Sequence, residues 1–443
     1  MTDTLAIRGG KPVREKPFPS WPCFGDREEK RLLDALRSGV WGKMQGTEVK
    51  QFERTFAAYH EAKHALGVVN GTVALRIALI AAGIEAGDEV IVPPYTFMAT
   101  ASAVVEANAT PVFADIDLET SNIDPACIEA AVTPRTKALI VVHLGGLPCD
   151  MDAIMDLAAR HNLVVIEDAC HAHGAEYQGR RVGAIGHLGC FSFQSSKNVT
   201  SGEGGIIVTN DDRLAEACWS LHNCGRVPEG KWYEHHILGG NYRMGELQGA
   251  LLNAQWERFE EQAGRRERNG RHLAEHLGAI PGIHPQKRTA DCTRHGYHLF
   301  AFRMDPAVFG TSREVFLEAL QAEGIPAAAG YPIPLYREPL FTNRAFGPYT
   351  GCLSERPDLD FSRVHCPQCE TLSTVQGVWV HQPNLLAEQE DMDDIVAALR
   401  KIYECRDQLA GPLAEKSSGG DGRIGRGPVH TQRRASAVSR EKT

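Results

Sequence analysis

Between about residues 60 and 210, short apolar runs alternate with amphipathic ones. "HALGVVN" (64–70) predicts a strand and "TVALRIALIAAG" (72–83) a helix. "EVIVPP" (89–94) then predicts a strand and "FMATASAVVEA" (97–107) a helix. "PVFADID" (111–117), "KALIVVHL" (137–144) and "LVVIEDA" (163–169) read as strands, with a helix "DMDAIMDLAARH" (150–161) between the last two. These apolar runs lack a period of two, so both faces of each strand should be buried. That pattern predicts a mainly parallel sheet covered by helices. "CFSFQ" (190–194) and "GIIVTN" (205–210) predict two adjacent strands joined across the segment between them.

Beyond about residue 245 the pattern changes. "GELQGALLNAQWERFEEQAGRRERNGRHLAEHL" (245–277) predicts a long amphipathic helix with its break at Gly264. A strand "YHLFAFRM" (297–304), a helix "SREVFLEALQAEG" (312–324), a Pro-rich loop through "YPIPLYREPL" (331–340) and a helix "EDMDDIVAALRKIYE" (390–404) follow. The expectation is an α/β protein. An N-terminal segment (1–30) precedes a large ligand-binding domain (31–260) with a mixed, mainly parallel sheet. A smaller α+β domain (261–408) follows, and then a disordered tail (409–443), rich in Gly, Ser and Arg.

Composition narrows the function classes. The 443 residues, 43% of them hydrophobic, suffice for a full core and two or three domains. A net charge of -9 argues against a nucleic-acid partner. The apolar runs are too short to span a bilayer, and the N-terminus lacks the apolar stretch of a secretory signal. A cytoplasmic protein is expected. The twelve cysteines are scattered, mostly in apolar contexts. "CPQC" (366–369) is the only CxxC, and no second ligand pair follows it, so no zinc site is expected.

Polar clusters fall at predicted strand ends, where open α/β sheets bind ligands. No GxGxxG follows the first strand and no GxxxxGK[ST] occurs. In "FSFQSSKNVTSGEGG" (191–205), Lys197 follows an apolar stretch and lies among Ser192, Ser195 and Ser196. Desolvation would make such an amine nucleophilic. Gly202, Gly204 and Gly205 would let the backbone approach a ligand. Asp168, ending its strand, either caps a following helix or pairs with a protonated ring nitrogen. Asp168, His171 and His173 lack a strong metal-ligand spacing. Asn70-Gly71-Thr72 between strand and helix suits a phosphate or a plain N-cap. Phe97 either packs in the core or stacks on a flat ring.

Taken in order, these pieces resemble the DegT/StrS family of sugar aminotransferases, which depend on pyridoxal 5'-phosphate (PLP) and have the aspartate aminotransferase fold. The resemblance runs from about Leu5 to Tyr403. It is carried by "NGTVALRIAL", "GDEVIVPPYTFMATASAV", "PVFADIDLETSNID", "TKALIVVHLGG", "VIEDACHAHGAEYQGRRVG", "FSFQSSKNVTSGEGG" and "GGNYRMGELQGALL". It implies that Lys197 binds PLP covalently, that Asp168 faces the pyridine nitrogen, and that His171 lies near the ring's phenolic oxygen. Ser192, Gly71 and Thr72 would hold the phosphate, Phe97 would stack on the ring, and Asn241 would reach the cofactor of a neighbouring subunit. A homodimer with shared active sites follows. Asn70 departs from the Ser that the family commonly has there. The retained lysine implies transamination, because dehydratases of the family carry histidine instead.

The implied reaction moves nitrogen from glutamate or glutamine to a keto-sugar or keto-cyclitol by a ping-pong mechanism, with "YPIPLYREPLF" (331–341) lining the acceptor site. The fragment "DACHAHGA" also resembles the family's aminohydroxybenzoate synthases, so a synthase or dehydratase is the alternative. A non-catalytic sensor is disfavoured by the intact Lys197, Asp168 and Ser192.

Overall fold

A computed structural model describes residues 3–354, 356 and 359–410; from Gly411 on, the predicted tail lies outside the described residues. Its strands are β1 (His64–Val68), β2 (Glu89–Val92), β3 (Thr110–Phe113), β4 (Thr136–Val142), β5 (Val164–Asp168), β6 (Glu176–Tyr177), β7 (Arg180–Arg181), β8 (Leu188–Ser192), β9 (Gly205–Thr209), β10 (Ile283–Pro285), β11 (Cys292–Arg294), β12 (Leu299–Met304) and β13 (Gly377–His381). Seven form one sheet in the order β1-β9-β8-β5-β4-β2-β3. Every pairing from β8 to β3 is parallel, and only β9 runs against its neighbours. The strands on either side of the lysine segment, β8 and β9, are adjacent, as their apolar runs predict.

Both faces of this sheet are covered. Along β2, Val90 and Val92 enter one core while Ile91 enters the other; along β4, Ala138 and Ile140 oppose Leu139 and Val141. Side chains alternate across a strand, so a continuous apolar run serves two cores at once. One core takes Ala74, Leu75 and Ala78 from the helix Gly71–Ala81. The other takes Phe52 and Phe56 from Glu48–Tyr59 and Ile154 and Leu157 from Met151–His161.

A second, antiparallel sheet has the order β10-β12-β13. Phe300 and Phe302 of β12 and Val378 and Val380 of β13 form a third core with Leu273, Phe316, Ile395 and Leu399 from three helices. Leu5 joins that core from the N-terminus. Arg14 is buried there against Asp391, 2.8 Å away.

The long helix breaks elsewhere than expected. One helix ends at Trp256 and the next, Phe259–Gly278, runs straight through Gly264. A single glycine costs a helix only about 1 kcal/mol, too little to set a break against tertiary packing. At the observed break Arg258 pairs with buried Glu28 at 2.8 Å, and the Trp256 and Phe259 rings stack 4.6 Å apart. No described helix is long and apolar enough to cross a membrane.

Candidate active site

Because β1, β2, β4, β5 and β8 all point the same way, the turns that follow them gather along one edge of the sheet. That edge carries Asn70–Thr72, Thr96–Thr100, His143–Gly146, Asp168–His173 and Ser192–Lys197. Most of the residues singled out in the sequence therefore share a rim, as expected where ligands bind open α/β sheets.

At the end of β1, Asn70 caps the helix Gly71–Ala81, its Oδ1 accepting the Val73 amide at 2.9 Å. The cap and an anion site do not compete. The Gly71 and Thr72 amides have no hydrogen-bond partner among the described residues. A Cβ on Gly71 would stand 2.8 Å from Ser192 Cβ and 3.1 Å from Cys170 Sγ, so the turn closes against β8 only because this residue is glycine. Ser192 Oγ accepts from the Gln194 amide at 3.3 Å, leaving its own proton available. Open amides at a helix N-terminus with a hydroxyl alongside make a receptor for a phosphate-like anion. Gly205, expected to admit a ligand, instead admits the chain itself: its Cβ would lie 2.4 Å from the Asn70 carbonyl carbon.

No helix begins after β5, so Asp168 is not a helix cap. It is buried, with Oδ1 accepting from the Cys170 amide at 3.3 Å and Oδ2 from the Thr100 hydroxyl at 2.8 Å. Lys197 is half-buried and has no ion pair among the described residues. Burial pulls its pKa below the usual lysine value, against the opposing influence of Cys170 and Asp168. A larger share of neutral amine results.

His171 is buried, and its pKa is held well below the ordinary value by burial, then by Lys197 and His173. The Gly145 amide donates to its Nδ1 at 3.4 Å, so the proton of the neutral ring rests on Nε2 and is free to donate. His298, just before β12, lies tilted against it, ring centroids 4.4 Å apart. Asn198 donates to the Gly296 carbonyl, so its Oδ1 accepts from His298 Nδ1 at 3.3 Å. His298 and Thr100 were missed in the sequence.

Phe97 precedes its helix, which starts at Ala99, and is 57% exposed, an aromatic face turned out of the core. From the Pro-rich loop, Tyr331 packs edge-on to Trp379 and Tyr95, with centroids 4.7 and 5.5 Å away. Burial, Tyr95, Asp168 and Cys170 all keep its phenol protonated. Asn241 immediately precedes Tyr242, whose carbonyl accepts from the Val69 amide at 3.0 Å. Asn241 is exposed, is bridged through its backbone to Asn223, and has no side-chain hydrogen bond among the described residues.

The lysine segment is moored from outside. Trp21 Nε1 donates to the Ser195 carbonyl at 2.9 Å, and Gln382 Nε2 to the Ser196 carbonyl at 3.4 Å. The fully buried Arg266 in turn donates to Gln382 Oε1 at 2.9 Å. Cys366 and Cys369 are buried in the core beside a short helix. Among the described residues no group of three or more His, Cys, Asp or Glu could hold a metal ion.

The chain as a whole is similar to several known proteins. The chain is 41% identical over 425 residues to a putative L-glutamine:3-amino-2,3-dideoxy-scyllo-inosose aminotransferase of Streptoalloteichus tenebrarius, covering 92% of this chain and 100% of that protein. It is 39% identical over 383 residues to the 3-amino-5-hydroxybenzoate synthase of Amycolatopsis mediterranei, covering 86% and 96%. The crystal structure of a 3-amino-5-hydroxybenzoic acid synthase superposes with a TM-score of 0.78 at 36% identity, covering 88% of this chain and 99% of that one. The pattern of one aminotransferase family matches residues 22–354. With a rim lysine beside a buried aspartate and so long a match, the chain belongs to the DegT/DnrJ/EryC1/StrS aminotransferase family.

Proposed function

We propose that this aminotransferase uses PLP to move the amino group of L-glutamine, or of glutamate, to the ketone of a scyllo-inosose-type cyclitol. The observation that carries the reading is Lys197: a half-buried amine without an ion pair among the described residues, its pKa lowered, on the same rim as the carboxylate of Asp168. The similarity to a scyllo-inosose aminotransferase supports the cyclitol acceptor and the glutamine donor.

The residues fit a flat, phosphate-bearing cofactor. The two open amides of Gly71 and Thr72 and the Ser192 hydroxyl match a phosphate, and a Cβ at Gly71 would push that turn away from Ser192. The exposed Phe97 suits one face of a ring. Asp168 would keep the ring nitrogen protonated, and the Nε2 proton of His171 would serve the phenolic oxygen. When bound, PLP supplies an electron-withdrawing ring that takes up negative charge from a substrate carbon.

Lys197 would hold the cofactor, and its Nζ, neutral in larger part because it is desolvated, would take the proton from the donor's α-carbon and later return it. The same Nζ serves the acceptor half-reaction in reverse, giving ping-pong kinetics. Tyr331, kept protonated, can donate to an acceptor hydroxyl. Asn241 would complete the phosphate site of a second copy in a homodimer. The exposed apolar side chains of Trp41, Met98, Trp232 and Leu238 support such a pairing.

The test is nitrogen transfer. With α-15N-glutamine and 2-deoxy-scyllo-inosose, the 15N label should appear in the cyclitol. The similarity to 3-amino-5-hydroxybenzoate synthases favours a second reading, loss of water with aromatisation. An aromatic product from an aminated cyclic ketone, with no label transferred, would replace the first reading by the second.

A further inference from the structure

The aspartate at the rim is held by a donor to which neither the sequence motifs nor the proposed mechanism gives a part. Thr100 Oγ1 donates to Asp168 Oδ2 at 2.8 Å. Thr100 is fully buried and Asp168 is 6% exposed. Thr96 Oγ1 lies 3.0 Å from Thr100 Oγ1, also buried. A hydroxyl has one proton, and a carboxylate only accepts. Thr100 therefore spends its proton on Asp168, and the contact with Thr96 runs from Thr96 to Thr100. The result is a directed chain, Thr96 to Thr100 to Asp168, in which each bond strengthens the next. The other carboxylate oxygen accepts the longer 3.3 Å bond from the Cys170 amide.

The placement of the chain adds to its meaning. Thr100 lies in the first turn of the helix Ala99–Glu106, and its amide donates to the carbonyl of Phe97 at 3.1 Å. One short segment thus carries the exposed aromatic face and, three residues on, the group that fixes the carboxylate's rotation.

We propose that Thr100, backed by Thr96, is a positioning residue that holds the Asp168 carboxylate in the orientation needed to keep the cofactor's ring nitrogen protonated. The inference rests on the PLP reading above. A hydrogen bond to an ionised group is stronger than one between neutral groups, and one oxygen rotating off line weakens the only acidic partner the ring would have.

The test loads the holoenzyme with PLP carrying 15N in the ring and records the 15N chemical shift of that nitrogen. Turnover is measured alongside. The wild type should show the protonated shift. Thr100→Val keeps the shape and removes the donor; its signal should move toward the unprotonated position and kcat should fall about tenfold or more, with KM little changed. Thr100→Ser keeps the donor and should restore the wild-type shift and bring kcat to within about twofold. Melting of each apoprotein separates a folding defect from this effect, and Thr100→Ala carries the same reading if the valine variant does not fold. A Thr100→Val enzyme with wild-type shift and kcat overturns the inference alone. A wild type that takes up no PLP overturns the reading beneath it.

Discussion

Two of the three sheets, the seven-stranded one and β10-β12-β13, contribute to the candidate site in different ways. The seven-stranded sheet supplies its groups from one edge, each at the end of a strand or in the segment that follows it: the open amides of Gly71 and Thr72, Thr100, Asp168, and Ser192 with Lys197. The β10-β12-β13 sheet supplies groups from its flank. His298, just before β12, meets His171 and Asn198, and Gln382, just past β13, reaches the lysine segment. In the first region topology gathers the groups, because the parallel strands end on the same side. In the second, alignment depends on individual contacts between distant parts of the chain. On the proposed function, the large sheet would supply the reacting groups and the small one would help to position them.

Three changes would break or sharpen that contrast. The largest effect is expected from Lys197→Ala. Loss of the proton carrier should lower kcat by at least about 10²–10⁴-fold, and borohydride reduction of the PLP-treated variant should leave no labelled peptide at this position. A labelled peptide elsewhere, with activity kept, would remove the large sheet's claim on the chemistry. His298→Ala should act more mildly. Asn198 loses a buried partner and His171 its neighbour, so kcat/KM should fall about tenfold, while borohydride still labels Lys197. A loss as deep as that of Lys197→Ala would erase the distinction between the sheets.

The smallest effect near neutrality is the pH dependence of the apoprotein. Burial lowers His60 to about 3, and pushes His171 and His298 well below 6.5. Each folded pKa lies below the unfolded one, so in that window the unfolded chain binds more protons and stability rises with pH. Urea unfolding should show little change above pH 6.5. Below it, stability should fall toward pH 3, with a slope of up to about 1.4 kcal/mol per pH unit for each such group. Lys197 follows the same sign at the alkaline end: the cost of its buried charge is relieved as pH climbs toward 10.5. A flat acid limb would mean that the imidazoles are not buried as neutral rings.

What the sequence disclosed follows the same division. Lys197, Asp168 and Ser192 were legible because each ends or directly follows an apolar strand run. The parallel sheet was legible because those runs feed two cores. Thr100 was not, since its partner is 68 residues away; its one local trace is a threonine four residues earlier at a helix start. His298 meets Asn198 across 100 residues and reads locally as part of a strand. The helix break near Arg258 is set by Glu28, far upstream, and no local breaker marks it. The helix Glu48–Tyr59 did leave a trace, with Val49, Phe52 and Phe56 on one buried face.

At Ser195 and Ser196 the hands that reach in from afar, those of Trp21 and Gln382, grip peptide carbonyls. The hydroxyls at 195 and 196 are spent locally, one accepting from the Gln194 Nε2 and the other donating to its Oε1. Fidelity of aim thus draws on two remote positions, one of them just upstream of where the family pattern begins.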